Sequence, residues 1–233
     1  MPSVTRTNAV CNEISVMSHS VFTIPYYDSA FEPGCVIEKE QDRFSMRVQS
    51  AGDIILKTGQ LIGADPFILV GDAPFVQPVP VGSFAVRLAV AKIDDDERIA
   101  LARIDFAESP VDHWEMALLP EQDPEALEDD EIYGFTTDAG TACFMDKVSS
   151  DSLKSEISEG SDFFEELMEE MDENFESTWT WANMELEHGN IISFMSGYGN
   201  GYYATYFGKD KDGNVVAVVT DFDVLPWNGS LVG

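Results

Sequence analysis

The sequence predicts an α+β protein, mainly antiparallel and twisted sheet, with one amphipathic acidic helix and a short helix before it. Three observations carry this reading. Apolar residues alternate with a period of two from Phe84 to Val90 and again in the last third of the chain. Asp- and Gly-rich punctuation separates the alternating runs at hairpin spacing. One segment near Phe163 repeats its apolar residues at helical spacing.

Residues 1–33 read as an irregular lead-in that packs on the domain: Val16, Met17, Val21, Phe22, Ile24, Tyr26 and Tyr27 follow neither period for long. Strand signals begin at Phe44–Val48 and continue in the short apolar run Asp53–Leu56, after which Gly59, Gly63 and Pro66 punctuate the chain. Pro74, Pro78 and Pro80 lack amide hydrogens and keep their segment extended and unpaired, or at a sheet edge. Gly82–Lys92 and Glu97–Phe106 form the clearest hairpin, turning at Asp94, Asp95 and Asp96, and Trp114–Leu119 is an edge or return segment. Glu121–Glu131 holds seven carboxylates in eleven residues and is broken by Pro124, which predicts a solvated loop.

A helical turn at Ser149–Ile157 precedes the main helix at Ser161–Phe175. There Phe163, Phe164, Leu167, Met168, Met171 and Phe175 recur on one side, while Glu165, Glu166, Glu169, Glu170, Asp172 and Glu173 cover the other. Ser161 or Asp162 is the expected cap. The last third reads as a meander of Trp179–Leu186, Ile191–Met195, Tyr202–Phe207 and Val215–Val219, with turns at His188-Gly189-Asn190 and Asp210-Lys211-Asp212-Gly213.

A chain of 233 residues with 44% hydrophobic content can bury an ordinary core, so a single domain over 1–233 is expected. Thirteen basic residues against 43 acidic ones leave a formal charge of -30. Such a surface repels phosphate backbones and anionic lipids, which argues against nucleic acid and membrane partners and for a basic protein. Cys11, Cys35 and Cys143 are an odd number at wide spacing, neither a disulfide framework nor a zinc pattern. The first twenty residues lack the apolar run of a secretory signal, and the expectation is a cytoplasmic protein. Composition does not specify an oligomeric state.

Several short patterns could carry chemistry. Asp138-Ala-Gly-Thr-Ala-Cys143-Phe-Met-Asp146 sets two carboxylates around a glycine, a hydroxyl and a thiol, but Cys143 has no neighbouring base to activate it. Ser196-Gly-Tyr-Gly-Asn-Gly-Tyr202 has the glycine density of a phosphate cradle without the Gly-Lys-Ser/Thr ending. Asp210-Lys-Asp212-Gly213 suits a hairpin turn better than half a calcium loop. His19, His113 and His188 are not spaced as metal ligands, and no metal set or cofactor motif is expected. Asp138, Cys143, Asp146, Tyr203 and Asp221 remain the candidates for a catalytic site.

The residues Asp138-x-Gly-Thr-x-Cys-Phe-x-Asp146, Trp181-Ala-Asn183, Ser196-Gly-x-Gly-x-Gly-x-Tyr203 and Val219-Thr-Asp-Phe222 resemble the signature of a bacterial family catalogued as a domain of unknown function. Ile99-Ala-Leu-Ala-Arg-Ile-Asp-Phe106, Pro110-Val and Trp114 are similar to it as well, so the family-like core would span 82–225. The resemblance implies a fold and no particular chemistry. Asn200 stands where an acidic residue is expected in the glycine-rich motif.

Charge distribution then favours one function class. Between Glu121 and Glu187 lie 22 acidic residues and two lysines, a local charge of -20 in 67 residues. This predicts an acidic binding protein, such as an immunity or inhibitor protein that neutralises a basic partner, for instance a bacterial toxin. The expected contact residues are Glu128, Asp129, Asp130 and Glu131 in the loop and Glu165, Glu166, Glu169, Glu170, Asp172 and Glu173 on the helix. Two alternatives stay open: a cation-dependent hydrolase using an Asp cluster, and a salt-adapted protein of unrelated role.

Overall fold

The computed structural model describes residues 4–5, 21–22, 26–68, 73–128, 131–226 and 230–232. In chain order the elements begin with strands β1 (Val4–Thr5) and β2 (Val21–Phe22), helical turn α1 (Tyr26–Ser29), and strands β3 (Val36–Lys39), β4 (Asp42–Leu56) and β5 (Leu61–Ala64). Next come β6 (Gly82–Ile93), β7 (Asp96–Asp105), β8 (His113–Met116), a 3-10 turn (Pro124–Ala126), β9 (Glu131–Ile132), β10 (Phe135–Thr137) and β11 (Thr141–Asp146). Helices α2 (Lys147–Ser158) and α3 (Phe163–Glu173) come after β11, then β12 (Trp181–Leu186), β13 (Gly189–Met195), β14 (Gly201–Lys209), β15 (Val215–Asp221) and β16 (Ser230–Val232).

These strands pair antiparallel throughout. A large sheet runs in the order β16-β3-β4-β6-β7-β15-β14-β8-β2, with β10 also on β14; a smaller one runs β12-β13-β11-β5; β1 pairs with β9. With few helices beside them, the sheets make an α+β fold. Among the described residues no helix is long and apolar enough to cross a membrane.

Period-two alternation sorts the small sheet into two faces. On β11, Ala142 and Phe144 join the core shared with the large sheet, while Cys143 and Met145 face a second cluster with Leu153 of α2 and Phe163, Leu167 and Met171 of α3. The same division separates Ile192 and Phe194 from Ile191 on β13. On the large sheet, cross-strand pairing puts Arg87, Arg103, Val219, Tyr206 and Met116 on one face. Tyr27 of α1 packs there, its ring 5.4 Å from Tyr206. The other face presents Phe207, whose ring meets Phe75 beside β5. The layers are therefore α1, large sheet, small sheet, then α2 with α3.

Five features differ from the sequence reading. The last third is not one meander: β12 and β13 form a hairpin in the small sheet, and β14 and β15 one in the large sheet. Phe44–Val48 and Asp53–Leu56 are one strand, β4, because its pairing with β6 runs through a bulge between Ser50 and Asp53, where Gly52 takes φ +83. Leu61–Ala64, read as punctuation, is β5, buried at all four residues. Part of the lead-in is ordered as β1, β2 and α1; Val16, Met17, His19, Cys11 and Ile24 lie outside the described residues. Helix α3 stops at Glu173 and leaves Met168 and Phe175 each 58% exposed, because the small sheet covers only the Phe163, Leu167 and Met171 side.

Beyond Ser45, among the described residues, no strand pairs with the edge of β4 away from β6; β3 reaches only Asp42–Ser45. Side-chain amides take that place. Asn190 Oδ1 accepts Ile55 N–H at 2.8 Å, Asn190 Nδ2 donates to the Asp53 carbonyl at 2.8 Å, and Asn183 Nδ2 donates to the Ala51 carbonyl at 3.1 Å. Asn190 Nδ2 also donates to Asn183 Oδ1, so each amide orients the other.

Candidate functional site

The acidic residues named from the sequence fall on separate elements. Glu165, Glu166, Glu169, Asp172 and Glu173 are exposed on α3, and Glu170 is half-buried, its carboxylate and carbonyl accepting from Asn174 Nδ2. Among the described residues no cationic side chain pairs with any of these six. Glu128 sits in the loop that enters β9 and Glu131 is the first residue of that strand, its Oε2 accepting Glu128 N–H. Asp129 and Asp130 lie outside the described residues. The loop adjoins β8 through Tyr133 and Met116 of the large sheet, whereas α3 lies over β12 of the small one.

The catalytic candidates do not form one cluster. Asp146, fully buried at the end of β11, caps α2 through Val148 N–H at 3.0 Å and accepts Thr58 N–H at 2.8 Å and Thr58 Oγ1–H at 2.7 Å. Asp221 faces α1 on the far side of the large sheet, accepting Tyr27 O–H at 2.9 Å and Asp223 N–H at 2.9 Å. Cys143 is buried toward the helices, and Asp138 is exposed on the turn after β10. Among the described residues no three His, Cys, Asp or Glu side chains gather as a metal ion requires.

What does converge is the set of glycine and hydroxyl motifs. Ser196 N–H donates to the Gly140 carbonyl, and the hydroxyls of Thr137, Ser196 and Tyr203 all lie within 3.2 Å of the Gly199 carbonyl. Burial raises the Tyr203 pKa, against the lowering effect of its Ser196 hydrogen bond. Its ring packs edge-on against Phe222, and a Cβ on Gly197 would stand 2.6 Å from the Phe222 carbonyl. Asp65 closes the junction from β5, accepting the N–H groups of Phe67, Asp138 and Ala139. This is a hydrogen-bonded knot joining the two sheets, with its polar groups turned on one another. Asp210 similarly spends its carboxylate within its own turn, on Asp212 and Asn214 N–H.

A cleft of about 500 Å³ opens on the α1 side of the large sheet, lined by Asp28, Arg87, Arg103, Asp105 and residues 107–111. Arg103, 9% exposed, donates from Nη1 to Asp28 at 2.6 Å and to the Tyr27 carbonyl at 2.9 Å, and from Nε to Asp105 at 2.8 Å. Burial pushes the Asp105 carboxyl up, but the hydrogen bonds and charges of Arg87 and Arg103 outweigh it and hold the group below the usual carboxylate range. Neither arginine was among the sites expected from the sequence. Their signal was present: each interrupts an apolar run, Phe84–Ala91 for Arg87 and Ile99–Ile104 for Arg103, in a chain with 13 basic residues.

No curated protein and no solved structure matches this chain. A profile of the family described as "Protein of unknown function (DUF4241)" matches residues 54–220, from the last three residues of β4 into β15. That span includes the knot, the Asn183–Asn190 pair and both cleft arginines, and the chain belongs to this family.

Proposed function

We propose that the protein is an acidic binding module that recognises the basic surface of another protein, as an immunity or inhibitor protein covers a toxin, and that it works in the cytoplasm. The observation that carries this reading is the unneutralised face of α3. Six carboxylates stand on an eleven-residue helix with no cation to pair them among the described residues. Like charges one turn apart, such as Glu165 with Glu169 and Glu166 with Glu170, oppose the helix they sit on. A cationic partner removes that repulsion on docking, so the cost in the free protein becomes a gain in the complex.

Long-range attraction of this kind accelerates encounter and weakens steeply with salt. Glu131 at the start of β9 and Glu128 just before it are a second acidic segment apart from the helix. The test compares the wild-type chain with Glu165→Gln/Glu166→Gln/Glu169→Gln/Glu170→Gln as bait in extract of the native cell at about 50 mM salt, where the screening length exceeds 10 Å. A basic protein retained by the wild type and lost by the variant, with retention abolished at high salt, is the expected result. Identical captures by both baits refute the assignment to α3.

A further inference from the structure

Register places Arg87 of β6 directly opposite Arg103 of β7. Two cations facing each other across a strand pair repel, and this arrangement occurs in a chain with 43 acidic residues and 13 basic ones. Asp105 reconciles them, accepting Arg87 Nε at 2.6 Å on one oxygen and Arg103 Nε at 2.8 Å on the other. Phe31 lies against both guanidinium groups, its ring centre 5.0 Å from the Arg87 carbon and 5.5 Å from that of Arg103.

These contacts fix the pair without exhausting it. Arg87 spends only Nε, and Arg103 spends Nε and Nη1. Among the described residues nothing accepts from either Nη of Arg87 or from Nη2 of Arg103. An end-on guanidinium offers two parallel N–H groups, which match the two oxygens of a carboxylate. Both arginines line the cleft, whose volume suits a small molecule.

We propose that this cleft binds a small zwitterion of the α-amino acid class. Its carboxylate takes the Nη fork of Arg87, with Arg103 Nη2 as a further donor. Its ammonium group pairs with Glu108 on the rim, and Ala107, Pro110 and Val111 supply an apolar wall for a short side chain. Charge excludes the phosphate alternative: the lining holds two arginines against Asp28, Asp105 and Glu108, in a chain of net charge -30. A dianion adds to that excess, whereas a zwitterion leaves it unchanged. This site is on the opposite side of the two sheets from α3 and stands independently of the protein-binding reading.

The experiment titrates the full chain by calorimetry at low salt with L-valine, with isovalerate (the same skeleton without the ammonium), with isobutylamine (without the carboxylate) and with inorganic phosphate. Saturable binding is expected for L-valine, weaker binding for isovalerate, and none for isobutylamine or phosphate. Arg87→Ala and Arg87→Lys each weaken L-valine by about tenfold or more, the lysine because it keeps the charge and loses the fork. Glu108→Gln weakens L-valine and leaves isovalerate unchanged. Circular dichroism and melting of each variant verify the fold, and the half-exposed Arg87 and exposed Glu108 are the positions least costly to change. No saturation by L-valine up to about 10 mM, equal affinity in a folded Arg87→Lys variant, or preference for isovalerate or phosphate each overturns the proposal.

Discussion

Replacing Asp146 with alanine is the most direct test of the view that this carboxylate holds the architecture together. The side chain is fully buried and accepts three hydrogen bonds, two from Thr58 and one from Val148 at the start of α2. Loss of a helix cap costs about 1 kcal/mol, and a buried donor left without its partner costs about 1–3 kcal/mol. Thr58 is exposed and regains water, so the full sum is not reached. The expected destabilisation is about 3 kcal/mol for Asp146→Ala. Asp146→Asn should cost about 2 kcal/mol, because its amide turns an N–H toward one of the backbone donors. Thr58→Ala alone should cost about 1 kcal/mol. Urea unfolding at pH 7, followed by tryptophan fluorescence, measures all three and the double variant. A loss below about 1 kcal/mol for Asp146→Ala, or singles that add to the double within about 0.3 kcal/mol, would refute the anchor.

Asp105 predicts an acid limb. Its folded pKa is depressed, so its stabilisation is complete above about pH 4 and is lost as pH falls through the folded value. Asp105→Asn should therefore lower the melting temperature at pH 7 and flatten its decline below about pH 4. Gly134→Ala should prevent folding or destabilise severely, since the new Cβ would lie 2.0 Å from the Tyr203 carbonyl, a backbone atom that cannot step aside; circular dichroism of the purified variant checks it. On α3, Glu165→Gln/Glu169→Gln should raise the melting temperature in about 10 mM salt and leave it unchanged near 1 M, where the screening length is about 3 Å.

Local features of this fold were legible where the chain alone carries them. The β6–β7 hairpin shows alternation on both strands and turns at Asp94, which takes φ 51. By contrast, Gly52 looks like a break, and only the long-range ladder between β4 and β6 keeps the strand continuous across it. β5 hides for another reason: a four-residue strand buried on both faces has no alternation to read. Helical spacing correctly grouped Phe163, Leu167 and Met171, yet it could not say that the small sheet stops short of Met168. At the knot, the motif residues were visible and their meeting was not, because glycine and hydroxyl groups announce flexibility and polarity rather than a partner. Arg87 and Arg103 are neighbours only through strand register, which no window of sequence reports.

The amides of Asn183 and Asn190 imitate a missing strand along the outer side of β4. An extended chain with unmet N–H and C=O groups is a template on which a second molecule can add, and the exposed Ile55 beside them would favour such an addition. By occupying those groups from within, the two asparagines deny the template to neighbours at high concentration. They thus close this edge to strand addition as well as bonding the two sheets.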